Sequence, residues 1–253
     1  MINSEKSLEE FNLGPITRLS SQPSCIKNGT LRDYQLEGLN WLISLYDCGI
    51  NGILADEMGM GKTLQTIALL GYLRFIRGIN GIALLAWITV LSSVGPHLII
   101  VPEITVSSWR QEFQRWCPYL SVIVLQEMSE RSDVVKHILR TRQFEVIVTT
   151  YDLIISDTEL MQVDWSYLII DEAHQLKSDH SKLNTIVRQF SSKYRLLITG
   201  TLLHNDLHEL WSLLNFLMPD LFDSPDVFEL FFDEEVEAEM IHKLQRVSSC
   251  ILE

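Results

Sequence analysis

The sequence predicts an α/β fold, with a parallel sheet that carries helices on both faces. Three observations lead to this prediction: short β-branched runs, segments of helical periodicity between them, and a composition that suits a buried core. The chain has 253 residues, of which 47% are hydrophobic and 21% are charged, so it is long enough for one large domain or two small ones. Because parallel strands need crossover connections, alternating strands and helices are typical of a sheet covered on both faces.

The predicted elements follow one another along most of the chain. Residues 1–30 show no sustained period and are interpreted as an N-terminal lead-in segment. A helix is predicted from Leu31, because apolar residues recur at helical spacing up to Tyr46. Further strands are predicted at 52–55, 97–102, 121–125, 144–149, 166–170 and 194–199, with further helices around 64–68, 109–116, 134–139, 181–190 and 206–217. Residues 31–219 together form one predicted lobe.

A long uncharged stretch runs from Gly78 to Pro102, and its apolar core spans residues 82–94. Ser, Gly and Pro break the core after 13 residues, so a buried hairpin or helix leading into a core strand is the favoured interpretation. A membrane-attached protein is the weaker alternative, and we expect no membrane partner. The N-terminus lacks an apolar signal region, and the four cysteines lie too far apart in sequence to indicate a metal or disulfide framework.

The net charge of −13 argues against strong DNA binding by the chain unaided. The acidic excess is concentrated, since residues 220–239 hold nine acidic side chains and no Lys or Arg. Residues 220–253 are therefore set apart as an acidic helical tail. A solvated helical face is the favoured interpretation of this tail. A mimic of DNA that blocks a basic cleft, or a surface that engages histone tails, is the alternative.

A glycine-containing turn between a predicted strand and a predicted helix reads DEMGMGKT. Backbone N–H groups of such a turn close on phosphate oxygens at the helix N-terminus. Lys62 would reach the β- and γ-phosphates, and the Thr63 hydroxyl would bind Mg²⁺. The general phosphate-loop pattern is not met strictly, because Asp56 stands where its first glycine would be, and an unrelated turn is the alternative. The predicted nucleotide-binding residues of this turn are Asp56, Glu57, Met58, Gly59, Met60, Gly61, Lys62 and Thr63.

An acidic pair follows a second predicted core strand in the run YLIIDEAH. It places Asp171 and Glu172 at the carboxyl end of that strand, where ligands bind in open α/β sheets. Asp171 would hold Mg²⁺ through water, and Glu172 would polarise the attacking water. A solvated strand end is the alternative for the pair alone, but the phosphate loop and the pair support each other. We therefore predict that Lys62, Asp171 and Glu172 are catalytic, with a nucleotide and Mg²⁺ bound.

Seven ordered blocks of residues carry a family resemblance: LRDYQLEGLNWL, ILADEMGMGKT, LIIVP, VTTYD, DEAHQLKS, LLITGT and NDLHELWSLLNFLMPDLF. They resemble the helicase-like ATPases of chromatin remodellers in the Swi/Snf superfamily, and the last block looks most like the imitation-switch (ISWI) branch. The resemblance covers about Leu31 to Phe232. It implies the N-terminal RecA-like lobe of a P-loop NTPase in the nucleus, with DNA and nucleosomes as partners.

The resemblance also implies roles for individual residues. Gln35 matches the glutamine that family members place against the adenine. The DEAH box is matched by Asp171, Glu172, Ala173 and His174. DNA-backbone contacts, which read no bases, are implied at Thr105, Trp109, Thr149 and Thr150, with ordinary loop and strand-end residues as the alternative. The block that couples nucleotide state to a second lobe is implied at Thr199, Gly200 and Thr201.

Several positions depart from the family's pattern. Glu103 and Ile104 stand where the family usually has Lys and Ser, which weakens phosphate contact and adds a repulsive charge. Leu202 and His204 replace a usual Pro and Gln in the coupling block. Residues 82–94 have no counterpart in the family, so they are either a genuine insertion or non-coding sequence carried into the protein.

The length of the chain bears on the function that the resemblance implies. Thr201 is followed by only 52 of the 253 residues, too few for another α/β lobe of about 150 residues. In the family, hydrolysis occurs between two lobes, and the second supplies an arginine finger. We therefore expect the ATP-binding lobe of a DNA-dependent remodelling ATPase that acts in transcription regulation, truncated before a second lobe that a longer native chain or a partner in trans supplies. A nucleotide-binding regulatory or interaction module without turnover is the alternative.

Overall fold

A computed structural model describes residues 17–77, 95–126, 131–141, 143–156, 158–176, 182–200 and 207–225. Most of the predicted lead-in segment, the apolar core at 82–94 and the acidic tail beyond residue 225 lie outside the described residues. In the described parts, no helix is long and apolar enough to cross a membrane. The predictions made for the segments outside the described residues therefore stay predictions.

The sheet has six strands, and every neighbouring pair is parallel. The strands are β1 (Gly52–Ala55), β2 (His97–Val101), β3 (Val122–Leu125), β4 (Val146–Thr150), β5 (Trp165–Asp171) and β6 (Ser192–Thr199). Their order across the sheet is β1-β6-β5-β2-β4-β3. Because β6 lies between β1 and β5, the residues that follow these three parallel strands lie together at one edge of the sheet.

Seven α-helices connect the strands within the described residues. They are α1 (Asp33–Cys48), α2 (Lys62–Tyr72), α3 (Val106–Trp116), α4 (Arg131–Thr141), α5 (Tyr151–Ser156), α6 (Lys182–Val187) and α7 (Leu207–Leu217). A π-helical turn at Leu73–Arg77 extends α2, and 3₁₀ turns lie at Glu103–Thr105, Glu159–Gln162 and Ala173–Leu176. The helices alternate with the strands, but α5, which lies between β4 and β5, was not predicted from the sequence.

Buried apolar side chains form one cluster on each face of the sheet. Ile99 belongs to the cluster that contains residues of α1, α2 and α3. Its neighbours Leu98 and Ile100 belong to the opposite cluster, which contains residues of α5, α6 and α7. This alternation follows from the two-residue period of a strand. The prediction of an α/β fold with helices on both faces of a parallel sheet is thereby confirmed.

Several helix boundaries differ from the sequence-based expectation, as two of the helices illustrate. The helix predicted at 134–139 extends over Arg131–Thr141. The helix predicted at 181–190 ends at Val187, because the N–H groups of Gln189 and Phe190 donate to carbonyls three residues back and close a turn. This turn leads directly into β6.

Candidate nucleotide-binding site

The loop between β1 and α2 has the backbone shape of an anion-binding turn. Gly59 and Gly61 have φ angles of +87° and +91°, which glycine adopts without the steric cost of a Cβ. Gly61 caps the N-terminus of α2, so the first N–H groups of the 11-residue helix and the positive end of its dipole face the loop. The loop can therefore bind phosphate oxygens through its backbone.

Lys62 lies over the loop that it follows. Its ammonium donates to the carbonyl oxygens of Asp56 and Glu57, at Nζ–O distances of 2.6 and 3.0 Å. A Cβ placed on Gly200 would lie 4.0 Å from Nζ of Lys62, so the ammonium is also beside the end of β6. The positive charge of Lys62 thus lies beside both the glycine loop and the predicted coupling block at the end of β6.

Gln35 links α1 to the same loop. Its Oε1 accepts a hydrogen bond from the N–H of Arg32 at 3.0 Å, and its Nε2 donates to the carbonyl of Met60 at 3.0 Å. A cavity of about 250 Å³ lies beside this contact, lined by residues that include Tyr34, Leu54 and Met60. Gln35 is therefore held against the loop, beside this cavity.

Asp171 ends β5 and carries three hydrogen bonds. Its Oδ2 accepts from the indole N–H of Trp109 at 2.8 Å, and its Oδ1 accepts from the N–H of Glu172 at 3.0 Å. The phenol of Tyr151 donates to its backbone carbonyl. Burial raises the pKa of Asp171. The hydrogen bond from Trp109 and the positive charge of Lys62 partly offset this rise in pKa. The structure therefore holds this carboxylate in one orientation beside the loop.

Glu172 adopts a left-handed backbone conformation with a φ of +52°. Such a conformation costs a non-glycine residue about 1–3 kcal/mol and clusters at functional sites. Oε2 of Glu172 lies 3.3 Å from Nδ1 of His174, and Ala173 between them is buried. The turn thus presents the Glu172 side chain at the carboxyl end of β5, next to Asp171.

The strand order brings these groups together. Ala55 is the register partner of Thr199 in β6, and Ile198 is the partner of Asp171 in β5. Since neighbouring strands lie about 4.8 Å apart, the ends of β1 and β5 are separated by one strand. The predicted loop, the acidic pair, Thr199 and Gly200 therefore share one edge, whereas Thr201 lies outside the described residues.

The oxygen donors at this edge suit a magnesium ion. Mg²⁺ prefers oxygen ligands and usually keeps several waters, taking one or two carboxylates together with substrate phosphates. Asp171 supplies a carboxylate, and the half-buried Thr63 follows directly on the loop. Among the described residues, no group of three or more His, Cys, Asp or Glu side chains could hold a metal by itself. The donor set fits a nucleotide-bound ion rather than a cage made only of protein.

The four residues expected to contact DNA phosphates have different environments. Thr105 is half-buried, and its hydroxyl donates to the carbonyl of Pro102 at 2.9 Å. Thr150 is buried, and its hydroxyl accepts from the N–H of Leu153 at 3.3 Å. Thr149 is fully buried. Both Thr149 and Thr150 lie at the end of β4, next to the end of β2.

Trp109 requires a correction, because its side chain is only 1% exposed. Its polar atom donates to Asp171 and does not face the surface. The amphipathic pattern of α3 explains this placement, since Trp109 and Phe113 are four residues apart on the buried face. A DNA-phosphate contact by the Trp109 side chain is therefore not supported. In contrast, the departures Glu103 and Ile104 are both exposed, Ile104 at 86%.

Two features of the site were missed by reasoning from the sequence. The hydrogen bond between Trp109 and Asp171 joins residues 62 positions apart, and no local pattern connects them. Tyr151 was part of a recognised block, VTTYD, but had no role of its own. The aromatic hydroxyl directly after a buried strand was the available signal for Tyr151, because β5 lies close to β4 in the sheet.

The fold and the site together define a class of protein: an α/β lobe with a glycine loop and an acidic pair at the carboxyl edge of a parallel sheet. Within that class, residues 34–252 match the family model of the SNF2-related domain. The chain belongs to this family.

Proteins of similar sequence support this family assignment. A probable chromatin-remodeling complex ATPase chain of Oryza sativa subsp. japonica is 48% identical over 238 residues, which cover 91% of this chain and 20% of that protein. An ISWI chromatin-remodeling complex ATPase of Saccharomyces cerevisiae is 46% identical over 235 residues, covering 89% of this chain and 20% of that protein. The chain thus spans about a fifth of the length of these relatives.

Among solved structures, the SWI2/SNF2 ATPase core of Sulfolobus solfataricus in complex with double-stranded DNA superimposes with a TM-score of 0.72. The two chains are 29% identical, and the match covers 94% of this chain and 46% of the other. The prediction of a helicase-like ATPase lobe of the Swi/Snf superfamily is confirmed.

Proposed function

We propose that the chain is the ATP-binding lobe of a DNA-dependent ATPase that remodels chromatin by ATP-driven translocation on nucleosomal DNA. One observation supports this proposal most strongly. The glycine loop with Lys62 and the acidic pair Asp171–Glu172 lie at the ends of β1 and β5, with only β6 between them. This arrangement puts a phosphate-binding element within reach of carboxylates that can act on the terminal phosphate.

The loop supplies binding and orientation of the nucleotide. The N–H groups at the start of α2 and the ammonium of Lys62 would neutralise the phosphate oxygens. The amide of Gln35, now hydrogen-bonded to the loop at Met60, has the donor and acceptor needed to pair with an adenine edge. ATP is therefore the proposed nucleotide.

The acidic pair supplies the chemistry of hydrolysis. Glu172 would orient a water molecule and accept its proton as the water oxygen bonds to the γ-phosphorus. The bond from that phosphorus to the bridging oxygen breaks, and ADP leaves with the electron pair. The left-handed backbone of Glu172 holds this side chain at the strand end, where the water would lie.

Asp171 and Thr63 would hold Mg²⁺ at the phosphates. When bound there, the ion neutralises charge that develops on the phosphate oxygens. The carboxylate of Asp171 is already oriented by donors on both of its oxygens, so it can accept a water ligand of the ion without rearrangement. Burial raises the pKa of Asp171, and a nearby divalent cation would favour its ionised form.

DNA and nucleosomes are proposed as partners from the names of similar proteins. The Sulfolobus relative is a complex with double-stranded DNA, and several relatives are named as chromatin-remodeling ATPases. A relative of S. cerevisiae that is 42% identical over 218 residues is named as a nuclear protein, which supports a nuclear location. Thr105 follows β2, and Thr149 and Thr150 end β4 at the same sheet edge. These three residues are the proposed contacts with the DNA backbone.

Because this chain spans about a fifth of its relatives, we propose that a second RecA-like lobe completes the site, either in a longer native chain or in trans. The test is ATP hydrolysis by the purified chain mixed with a separately purified second RecA-like lobe of a similar ATPase, with and without duplex DNA or nucleosomes. The proposal predicts hydrolysis that DNA increases and that Lys62→Ala abolishes.

A nucleotide-binding regulatory module without turnover is the second candidate. The exposed Glu103 and Ile104 favour it, because a carboxylate and an apolar side chain stand at the edge where phosphate contacts are proposed. The same assay separates the two candidates. MgATP binding with no hydrolysis even after the second lobe is added, in the presence and absence of DNA, would overturn the ATPase proposal for this chain and support the second candidate.

A further inference from the structure

We propose that Trp109 is a positioning residue for the carboxylate of Asp171 and thereby sets the affinity of the site for Mg²⁺. The inference rests on the proposed role of Asp171 in holding the ion. It concerns a residue on a different element, α3, which reaches Asp171 through the interior of the protein. The indole N–H donates to Oδ2 of Asp171 at an Nε1–O distance of 2.8 Å.

The Trp109 ring has little freedom to move. It is 1% exposed, and its centroid lies 6.0 Å from that of Phe113, with the ring planes tilted by 39°. An indole N–H donates and never accepts a hydrogen bond, so Trp109 can only donate to a carboxylate oxygen of Asp171. A ring fixed by packing therefore fixes the position of the oxygen that it contacts.

The other carboxylate oxygen is fixed from the opposite side. Oδ1 of Asp171 accepts from the N–H of Glu172 at 3.0 Å. With one donor on each oxygen, the plane of the carboxylate is determined, and each oxygen keeps a lone pair for the ion or for its water. Groups that orient a metal ligand in this way are typically worth about 10–100-fold in metal affinity.

The decisive variant is Trp109→Phe, which keeps an aromatic ring and removes the N–H. Its matched control is Trp165→Phe. Trp165 is also buried, at 2% exposure, and its Nε1 donates to the carbonyl of Leu160 at 2.9 Å. Since Trp165 begins β5 and Asp171 ends it, the control removes a similar bond about 20 Å from the carboxylate.

The measurement is the binding of a fluorescent ATP analogue to the full chain, first in EDTA and then over a Mg²⁺ titration. We expect Trp109→Phe to raise the half-saturating Mg²⁺ concentration about 10-fold, with unchanged affinity in EDTA. Trp165→Phe is expected to keep the wild-type Mg²⁺ dependence, although both variants lower the melting temperature. Equal Mg²⁺ dependence of Trp109→Phe and wild type would overturn the proposal.

A third variant, Asp171→Asn, separates this inference from the proposed function. If Asp171→Asn loses the Mg²⁺ dependence and Trp109→Phe does not, only the positioning role fails. If Asp171→Asn also keeps the wild-type Mg²⁺ dependence, the assignment of Asp171 to the ion fails with it.

Should Trp109→Phe not fold, the indole N–H resonance of Trp109 in ¹⁵N-labelled protein gives a second test. We expect this resonance to move in Asp171→Asn while that of Trp165 does not. A Trp109 resonance that stays in place would overturn the proposal.

Discussion

The side-chain amide of Gln35 donates a hydrogen bond to the backbone carbonyl of Met60, at a distance of 3.0 Å. The bond joins the first turn of α1 to the middle of the glycine loop. The same amide accepts from the N–H of Arg32 at 3.0 Å, so one side chain both stabilises the start of a helix and supports the loop. Loop shape and helix position are therefore coupled before any nucleotide binds.

This coupling predicts that Gly61→Ala disrupts the loop. Gly61 has a φ of +91°, and a Cβ at this position would overlap Nε2 of Gln35. The strained backbone alone costs about 1–3 kcal/mol, and displacement of Gln35 breaks its bond to Met60. We expect a loss of stability in urea unfolding together with weaker ATP binding in calorimetry.

Gly59→Ala is the matched control for that experiment. Gly59 has a similar φ of +87°, but a Cβ there would meet no atom within 4 Å. The Gly59→Ala variant therefore introduces the backbone strain without the overlap with Gln35. If both variants lose the same ATP affinity, the Gln35–Met60 bond has no part in nucleotide binding.

Glu172→Gln is expected to bind ATP and to lose hydrolysis. The amide keeps the size of the side chain and its position beside His174, but it cannot accept the proton of the attacking water. Nucleotide binding and phosphate release, measured on the same preparation, test this expectation. Asp152→Asn is the control, because it removes an exposed carboxylate at the start of α5. Equal turnover in Glu172→Gln and wild type would show that another group acts on the water.

His97 predicts a pH dependence of stability. Burial lowers the pKa of His97 to about 3, whereas an unfolded histidine has a pKa of about 6.5. Between these values the unfolded chain binds a proton that the folded chain does not, so stability falls as the pH drops below 6.5. This histidine contributes a slope of up to about 1.4 kcal/mol per pH unit.

His97→Leu is expected to remove this part of the pH dependence. The free energy of unfolding in urea, measured from pH 5 to pH 7.5, gives the slope for each variant. The control His137→Asn changes an exposed histidine on α4 and should keep the wild-type slope. An unchanged slope in His97→Leu would mean that other groups bind the protons.

Much of the fold could be predicted from the sequence because its signals are local. The β-branched run His97–Val101 and the alternation around it indicate a buried strand without reference to the rest of the chain. The glycine loop could also be predicted from the sequence. Gly59 and Gly61 have positive φ angles, for which glycine is the default residue. Helix ends such as that at Val187 depend on turn hydrogen bonds and were predicted less well.

The parts of the site that could not be predicted depend on distant contacts. The family resemblance placed Trp109 in a DNA-binding segment, but the apolar face of α3 buries its side chain. Its partner Asp171 is contributed by a strand that follows 49 residues after the end of α3. Only the strand order, with β2 between β4 and β5, brings α3 and Asp171 together, and no spacing in the sequence encodes that order.

The most direct test of the central proposal, that the glycine loop and the acidic pair form an ATP site, is calorimetric titration of the purified chain with ATP in the presence of Mg²⁺. Lys62→Ala removes the ammonium that lies over the loop, and Lys182→Ala, an exposed lysine at the start of α6, is its control. We expect binding to wild type and Lys182→Ala and none to Lys62→Ala. Equal affinity of Lys62→Ala and wild type for MgATP would contradict the proposed site.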